Sequence, residues 1–497
     1  MIPINTANEI LVLTILLPII AMAAIILLAK HPNIRDSVSV LASTLLFYLV
    51  CSLYSIFNTK QSIESQWFEI LPGLELSFKV EPLGTMFALV ASFLWFVTTL
   101  YSIGYMRAHN ERHQTRFYAY FAIAISSVMA IAFSKNLFSL FIFYEILTLS
   151  TYPLVTHAGT QKSKLGGRTY LAILLSTSIV FFLFAIILSW FIAGTLEFTN
   201  GGIFTDTTSP VLLGVLLVLF IFGVAKAAVM PFHRWLPAAM VAPTPVSALL
   251  HAVAVVKAGV FTILKVVIYI FGIDTISVLP TTQTLLYLAG ASILLASIVA
   301  MRQNNLKARL AYSTVSQLGY VTLGALLATS SSITASSMHI TMHAFAKITL
   351  FFCAGAILIT THKTDVTQMR GIGRQMPLTM IAFFIASISI IGLPPTGGSW
   401  SKWYLLLATI ETEQLLLMLV LMISSLLNIA YLLPIPLRAF FPGEKNGQTQ
   451  TKIIEAPLFS LAAILITTLG CIILFIYPIP LYNLISEIPL RSLAITK

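Results

Sequence analysis

Apolar stretches of about twenty residues recur along almost the whole chain, and this recurrence limits its fold more than any other feature. A helix of that length crosses the hydrocarbon core of a bilayer, where an unpaired backbone amide finds no water. Hydrophobic residues make up 58% of the 497 residues and charged residues only 9%, whereas soluble domains carry about 25% charge. We therefore predict an all-α polytopic membrane protein.

The apolar stretches predict fourteen transmembrane spans. They lie near 8–29, 37–57, 82–105, 117–133, 137–157, 169–194, 210–230, 245–270, 282–300, 308–329, 333–360, 377–405, 414–437 and 454–478. The first lacks a basic N-terminal region and a cleavage site, which indicates a retained span rather than a signal peptide. Between spans two and three, residues 67–82 alternate in polarity around Pro72-Gly73. This pattern predicts a short exposed β-hairpin, with an irregular loop as the alternative.

The loop charges test this span count. Loops after the odd-numbered spans hold 18 of the 28 lysine and arginine residues, whereas the alternate loops hold only Lys60, Lys79 and Lys135 and carry mostly acids. The positive-inside rule predicts this alternation when both termini lie on the outer, periplasmic face of a cell (inner) membrane. The net charge of +11 thus reflects topology, and we expect no nucleic-acid partner.

The sequence contains no signature of cofactor, metal or nucleophilic chemistry. It has no Gly-rich dinucleotide loop, no P-loop and no GxSxG. Cys51, Cys353 and Cys471 are far apart and show no metal-ligand spacing, so each is predicted to be small apolar filler. We expect no cofactor and no catalytic chemistry on this chain.

Six ionisable side chains fall inside the predicted spans, and such residues are functional candidates by default. They are Glu145, Lys226, Lys257, Lys265, Lys347 and Lys402. The alternative is that each snorkels to a membrane interface. For Lys265, toward the outer half of its span, the two interpretations are equally weighted; Lys257, Lys347 and Glu145 sit mid-span, where snorkelling is disfavoured.

Histidines extend this set. His339, His343 and Lys347 occupy positions i, i+4 and i+8, so they form one stripe about 12 Å long on a helix. A metal suits two histidines and a lysine poorly, and a single histidine is usually a satisfied core residue. A hydrated proton path fits three titratable groups in register better. His251, six residues before Lys257, lies about 120° around its helix from that lysine, and we include His251 and Lys265 in the predicted path.

Two spans contain helix-breaking residues beside a lysine. The seventh runs through Lys226 to Pro231, and the twelfth contains Gly392, Pro394 and Pro395 shortly before Lys402. Broken helices five spans apart predict an inverted repeat with an ion path at each break. The predicted units are helices 1–3 with the hairpin, the two half-channels, and helix 14 with a short tail. Their ranges are 1–116, 117–270, 282–440 and 441–497.

Several stretches in this order resemble the proton-pumping antiporter-like subunits of respiratory complex I and of Mrp-type cation/proton antiporters. They are "FYEILTLSTYPLV", "GVAKAAVMPFHRWLPAAMVAPTPVSALLHAVAVVKAGVF", "ARLAYSTVSQLGY", "MHITMHAFAKITLFF" and "GLPPTGGSWSKW". The resemblance covers roughly 80–440 and implies fourteen helices with two inverted five-helix half-channels. Since the chain stops soon after span fourteen, without the long lateral helix of the distal complex I subunit, it looks most like the D-type subunits of Mrp complexes.

The resemblance also implies residue roles. Glu145 matches a fifth-helix glutamate that pairs with the seventh-helix lysine, here Lys226. Lys257 matches the lysine at the channel centre, with His251 beside it. The eleventh-helix set and the exit residue after the twelfth-helix break are matched by His339, His343, Lys347 and Lys402. Protons would enter near Lys226 and leave near Lys402.

The implied partners are other membrane subunits of a hetero-oligomeric complex, the lipid bilayer and protons, with sodium left open. Membership of an NADH dehydrogenase-like translocase also stays open. Two other functions compete with proton translocation in a complex. One is a stand-alone cation or solute transporter, and the other is a non-conducting scaffold subunit.

Overall fold

The structure, a computed structural model, describes residues 4–71, 74–205, 207–441 and 453–489. These residues form a helical bundle with one β-hairpin. The first half contains α1 (Ile4–Leu27), α2 (Pro32–Phe57), β1 (Glu64–Leu71), β2 (Leu74–Lys79), α3 (Pro82–Ala108), α4 (Gln114–Phe133), α5 (Leu137–Val155), α6 (Gln161–Thr177), α7 (Phe184–Ala193), α8 (Pro210–Gly223), α9 (Trp235–Ala238), α10 (Thr244–Ala248) and α11 (Val255–Lys265). The second half contains α12 (Ile273–Val278), α13 (Pro280–Arg302), α14 (Leu306–Leu327), α15 (Ser330–Thr361), α16 (Ile372–Gln375), α17 (Pro377–Ile391), α18 (Gly398–Glu411), α19 (Leu415–Leu432), α20 (Pro434–Ala439), α21 (Leu458–Ile476) and α22 (Ile479–Ser486).

Short segments of tighter or wider helix join several of these helices. The 3₁₀ turns are Ala225–Ala227, Ala239–Val241 and Val366–Gln368, and the π-helical turns are Ser178–Leu183, Leu249–Val253 and Val266–Phe271. Two π-turns flank α11, so the predicted eighth span is a bent helix rather than a regular one. The predicted angle of about 120° between His251 and Lys257 assumed a regular α-helix, so it does not hold across the π-turn that contains His251.

Helices occupy each of the fourteen predicted spans in the described part of the chain. Eleven are long and apolar enough to cross a membrane by length and composition. The two broken spans supply only the shorter apolar helices α8 and α17, and α14 is not among the eleven. The all-α class is confirmed, and the count of fourteen membrane crossings stays a prediction.

One helical segment forms the centre of the bundle. Thr244–Phe271, which contains α10 and α11, is buried along its whole length, whereas the peripheral α1, α2 and α21 expose one side. Small residues allow this central packing. A side chain at Gly259 would bring its Cβ within 2.3 Å of the Ala227 nitrogen, so α11 lies directly against the turn that carries Lys226.

The first broken span breaks earlier than the sequence predicts. The prediction placed the break at Pro231, but α8 already ends at Gly223, and Lys226 lies in the 3₁₀ turn that follows. Ala228 then adopts the left-handed conformation, with φ of +53°. The Ala225 carbonyl accepts from the Ala228 amide and from the indole of Trp235, each at 2.9 Å. The break is therefore stabilised by tertiary contacts that local sequence rules do not show.

The second break lies where the sequence predicts it. α17 ends at Ile391, and Gly392 caps it with φ of +91°, a conformation that favours glycine. Pro394 and Pro395 lie in the turn before α18 begins at Gly398. A Cβ on Gly392 would stand 2.5 Å from Cδ of Lys402, so that lysine lies directly across the broken helix end.

The predicted hairpin is confirmed. β1 and β2 pair antiparallel from Glu64 opposite Lys79 to Leu71 opposite Leu74, with irregularities along the ladder. The predicted Pro72-Gly73 turn lies outside the described residues. Phe78 of β2 is fully buried between Trp67 of β1 and Phe143 of α5, and the contact with Phe143 fixes the hairpin to the end of the helix bundle.

A buried ion cluster joins α2, α3 and α4 at the bundle end opposite the hairpin. Asp36 accepts from Arg35 at 2.7 Å and from Arg107 at 2.5 Å, and its side chain is only 4% exposed. Arg35 also donates to Thr115 and Gln114 on α4. One carboxylate thus balances two guanidinium groups at a three-helix junction.

Asp36→Ala should lower the free energy of unfolding by about 3 kcal/mol, because it leaves the buried Arg35 without a counter-ion. Thermal unfolding in detergent measures this change. Glu411→Gln, which alters an exposed acid at a helix end, is the matched control. Equal midpoints for the two variants would contradict the structural role of the cluster.

Gly392→Ala should cost more stability than Gly194→Ala. Both glycines end a helix with positive φ, at +91° and +70°, and an alanine costs about 1–2 kcal/mol in such a conformation. A Cβ at Gly194 meets no atom of the described residues within 4 Å, whereas at Gly392 it displaces Lys402. The difference between the two melting midpoints isolates the Lys402 contact, and identical midpoints would show that this contact is absent.

Candidate functional site

Lys226 is fully buried and bonds to α5 rather than to its own helix. Its Nζ donates to the Tyr144 carbonyl at 2.7 Å and to Oγ1 of Thr148 at 2.6 Å. The same Nζ lies 3.1 Å from the centroid of the Tyr144 ring. An ammonium over an aromatic face is stabilised electrostatically, so Tyr144 and Thr148 together hold this lysine.

Glu145 makes no direct bond to Lys226. Both of its carboxylate oxygens are shielded from solvent and have no hydrogen-bond partner among the residues that the structure describes. Glu145 acts on Lys226 electrostatically, although the two side chains are not in contact. The resemblance implied a pair, and the structure brings the two residues to the same region without closing an ion pair.

The central contact of the site joins the two predicted half-channels. Nζ of Lys257 on α11 lies 2.6 Å from Nδ1 of His343 on α15, and both side chains are buried. For the ammonium to donate, Nδ1 must be the unprotonated ring nitrogen, which places the imidazole proton on Nε2. Nε2 of His343 has no hydrogen-bond partner in the described part of the chain.

The contacts continue from His343 toward the second break. The rings of His343 and His339 stack with centroids 5.7 Å apart. Nδ1 of His339 lies 2.9 Å from Oγ of Ser401, the neighbour of Lys402 in the chain. Tyr320 stacks on His339 at 5.7 Å and lies 4.7 Å from Nζ of Lys402. Polar and aromatic groups therefore connect the centre to the break.

Lys402 lies at the second break. Its Nζ donates to the Ile391 carbonyl at 3.1 Å and to Oγ of Ser425 at 3.2 Å. Ile391 ends α17, so the lysine binds a carbonyl that the break leaves free. A cavity of about 590 Å³ opens beside it, lined mostly by apolar side chains such as Trp403 and Leu426.

Lys347 points away from the histidine stack. Its Nζ donates to Oγ of Ser313 at 2.6 Å, and the Ser313 hydroxyl donates to the Tyr431 oxygen at 2.9 Å. Tyr431 in turn donates to Asn428. The predicted stripe of His339, His343 and Lys347 thus divides, with the histidines facing the path to Lys402 and the lysine facing α14 and α19.

Lys265 does not snorkel to solvent. It is 1% exposed and forms an ion pair with Glu81, just before α3. His251 is fully buried beside the Phe351 ring, and neither of its ring nitrogens has a hydrogen-bond partner in the described part of the chain. The structure therefore places His251 in the core without a direct contact to Lys257.

Several residues of this site were not identified from the sequence. They are Glu81, Tyr144, Thr148, Ser313, Tyr320, Ser401, Ser425 and Tyr431. Most are hydroxyl side chains in apolar helices, which usually bond to their own helix and so give no distinctive pattern. Glu81 has one sequence signal, because it directly precedes the Pro82 that begins a long span, but it lies in an acid-rich loop that hides its role.

Comparison with known proteins supports this architecture. The model of the family described as "NADH:quinone oxidoreductase/Mrp antiporter, TM" matches residues 134–428, and the complex I chain 5 N-terminal model matches residues 67–118. NADH-quinone oxidoreductase subunit N of Desulforudis audaxviator is 31% identical over 419 residues, covering 82% of each chain. A chain 5 relative from Picosynechococcus is 31% identical over 346 residues, and this chain spans about half of its length.

Two solved structures share the fold. A chain of the membrane-bound sulfane sulfur reductase, an archaeal respiratory membrane complex, has a TM-score of 0.85 at 23% identity, with 96% of each chain covered. A chain of the Mrp complex from Dietzia has a TM-score of 0.85 at 19% identity, with 97% of each covered. This is a multi-pass membrane protein, and it belongs to the NADH:quinone oxidoreductase/Mrp antiporter family.

Proposed function

We propose that this chain is a proton-translocating membrane subunit of a multisubunit Mrp-type monovalent cation/proton antiporter or complex I-like pump. The observation that carries the proposal is the run of side-chain contacts from Lys257 to His343, His339, Tyr320 and Lys402, a hydrogen bond followed by two ring stacks and a cation–ring contact. Buried lysines and histidines in mutual contact can exchange protons, whereas a packing core has no need of them. The family match supports the same function.

The proposed path begins at Lys226. A proton enters from the basic-loop face near the first break and reaches Lys257 on α11, whose Gly259 touches the Lys226 turn. No hydrogen bond among the described residues joins the two lysines, so this step runs through water. Lys257 then donates to Nδ1 of His343 as Nε2 releases its own proton toward His339.

The second part of the path leads to the exit. His339 passes the proton by way of Ser401 to the region of Lys402, where the break leaves free backbone carbonyls. Lys347 adjusts the charge beside the path through its bonds to Ser313 on α14. His251 contributes as a buried imidazole near the centre that has no hydrogen-bond partner among the described residues.

Glu145 acts in this proposal as the switch for Lys226. A nearby carboxylate favours the charged form of a lysine, and moving it away favours proton release. Lys226 now bonds to Tyr144, the neighbour of Glu145 on α5. A small rotation of α5 would therefore change both the acceptor and the charge that the lysine meets. Motion of a partner subunit against α5 could drive this change.

Matched lysine–tyrosine pairs support the inverted repeat. Lys226 at the first break lies over Tyr144 of the fifth span, and Lys402 at the second break lies over Tyr320 of the tenth. The two lysines are five spans apart along the chain, and so are the two tyrosines. We therefore propose 117–270 and 282–440 as the two half-channels, with 1–116 before them and 441–497 after.

The proposed membrane, orientation and partners follow from the loop charges and from the solved relatives. The distribution of lysine and arginine supports a cell (inner) membrane with both termini on the periplasmic side. Solved relatives of this fold are chains of multisubunit complexes, which supports other membrane subunits as partners. The lysine at the exit fits the D-type subunits of Mrp complexes, and sodium is an additional candidate ion.

The competing functions have less support. A scaffold would have no use for four buried lysines that lack a carboxylate partner within the described residues. A stand-alone transporter would act without the subunits that accompany the solved relatives. Activity of the isolated chain in liposomes would revive that second function.

Lys226→Ala should reduce proton transport by the assembled complex about 100-fold, because it removes the entry-side proton carrier. The assay is proton movement in vesicles that contain the intact complex. Lys162→Ala, which alters an exposed loop lysine, should transport normally and controls for loss of positive charge. Normal transport by an assembled Lys226→Ala complex would refute the proposed function.

Glu145→Gln keeps the shape of the side chain and removes its charge, so it should uncouple the driving reaction from proton movement. Coupling is measured as protons moved per unit of driving flux, with Asp274→Asn at an exposed position as the control. If the ratio stays at the wild-type value while assembly is normal, Glu145 is not the switch.

A further inference from the structure

A second polar cavity lies at the hairpin end of the bundle, away from both breaks. It measures about 480 Å³ and lies between the ends of α3, α4 and α11 and the loop after α7. We call it the vestibule, and its polar lining includes Lys79, Glu81, Lys135, Glu197, Asn200 and Lys265. Glu197 and Asn200 are exposed, so the vestibule opens to solvent.

A buried ion pair forms the floor of the vestibule. Lys265 is 1% exposed and bonds to Glu81, whose side chain is 13% exposed. The same Nζ contacts the Ser134 carbonyl at 3.3 Å and lies 3.9 Å from the Phe198 ring centroid. Of the five lysines within the predicted spans, this one alone has a carboxylate partner among the described residues.

The rim of the vestibule is rich in charge. Lys135 lies 2.9 Å from Glu197, 3.2 Å from Glu64 and 3.9 Å from Glu75. Burial lowers the pKa of Lys135, but hydrogen bonds to Glu197 and Glu64 outweigh it and raise that pKa above its ordinary value.

Three carboxylates and three ammonium groups line this cavity, from Glu81, Glu197, Glu487, Lys79, Lys135 and Lys265. Two further carboxylates, Glu64 and Glu75, lie against Lys135 at its edge, and this added negative charge favours small cations.

One helix connects the vestibule to the centre of the proposed path. Lys257, Phe261 and Lys265 are spaced four residues apart on α11, so they lie on one face and span about 12 Å. Phe261 is fully buried and packs on Phe87 of α3, with ring centroids 4.8 Å apart. Nζ of Lys265 lies 5.9 Å from the Phe261 ring centroid. A single aromatic layer thus separates the two lysines.

We propose that the vestibule is a second ion-access site, through which protons and other small monovalent cations reach the Lys265–Glu81 pair from the hairpin face. Phe261 and Phe87 form the barrier that closes this site from Lys257. The inference rests on the proposed function, because access to Lys257 has meaning only if Lys257 carries protons. It adds to that function a third opening, distinct from the two helix breaks.

Thiol labelling tests access to the floor. Lys265→Cys and Val267→Cys are made in a background where Cys51, Cys353 and Cys471 are replaced by serine, and vesicles holding the assembled complex receive a cationic, membrane-impermeant methanethiosulfonate. Val267 is buried on the same segment but does not line the vestibule, so it is the matched control. Lys265→Cys should be labelled from the hairpin face and Val267→Cys should not. Equal labelling of the two would overturn the proposal.

A leak assay tests the barrier and does not depend on the Lys265 variant folding. Phe261→Ala should speed the decay of an imposed pH gradient several-fold in proteoliposomes of the assembled complex. Phe383→Ala, a buried phenylalanine of α17 outside this face, should leave the decay unchanged. A wild-type decay for Phe261→Ala would overturn the barrier.

The two proposals fail differently. If Lys226→Ala abolishes transport but Phe261→Ala shows no leak and Lys265→Cys stays unlabelled, only the vestibule proposal is wrong. If Lys226→Ala transports normally, the proposed function itself is wrong, whatever the labelling shows.

Discussion

A lysine in an apolar interior must have acceptors for its protons, and this constraint explains most of the arrangement at the centre of the molecule. Lys257 meets it with an imidazole, by the 2.6 Å contact to His343. That contact joins α11 to α15 and therefore joins the two proposed half-channels. An imidazole both accepts and releases a proton near neutral pH, so the acceptor that stabilises the lysine is also able to carry its proton onward.

The other buried lysines meet the same constraint in ways suited to their positions. Lys226 and Lys402 bond to backbone carbonyls and hydroxyl groups and lie over tyrosine rings at the two breaks. Lys265 instead uses a carboxylate at the edge of the bundle. Neutral acceptors leave the charge of a lysine free to change, whereas a carboxylate holds it. The proposed path therefore has neutral acceptors at its entry and exit, around Lys226 and Lys402, and a carboxylate at its border with solvent, beside Lys265.

Much of this could be predicted from the sequence because membrane spans and intramembrane charges give strong local signals. Apolar runs located the helices, the hairpin was predicted from alternation, and the Gly392 break was predicted from glycine and proline. The start of the first break was not, because the turn after Gly223 packs against Gly259 of α11 and is held by the Trp235 bond, and neither contact follows from local helix rules. The division between Lys347 and the two histidines was also hidden, since one helix face looks uniform until its neighbours are placed.

The residues that bond to the buried lysines could not be predicted from the sequence either. Tyr144, Thr148 and Ser313 are ordinary helix residues in the sequence, and only the approach of another helix gives them their roles. Glu145 was predicted to pair with Lys226, but its carboxylate has no hydrogen bond within the described part of the chain, so its influence on that lysine is electrostatic.

The central claim is that Lys257 carries a proton from one half of the chain to the other. Its most direct test is proton translocation by the assembled complex with Lys257→Met, which fills nearly the same space but holds no proton. The account predicts that the complex assembles and moves no protons. Proton translocation at the wild-type rate would contradict it.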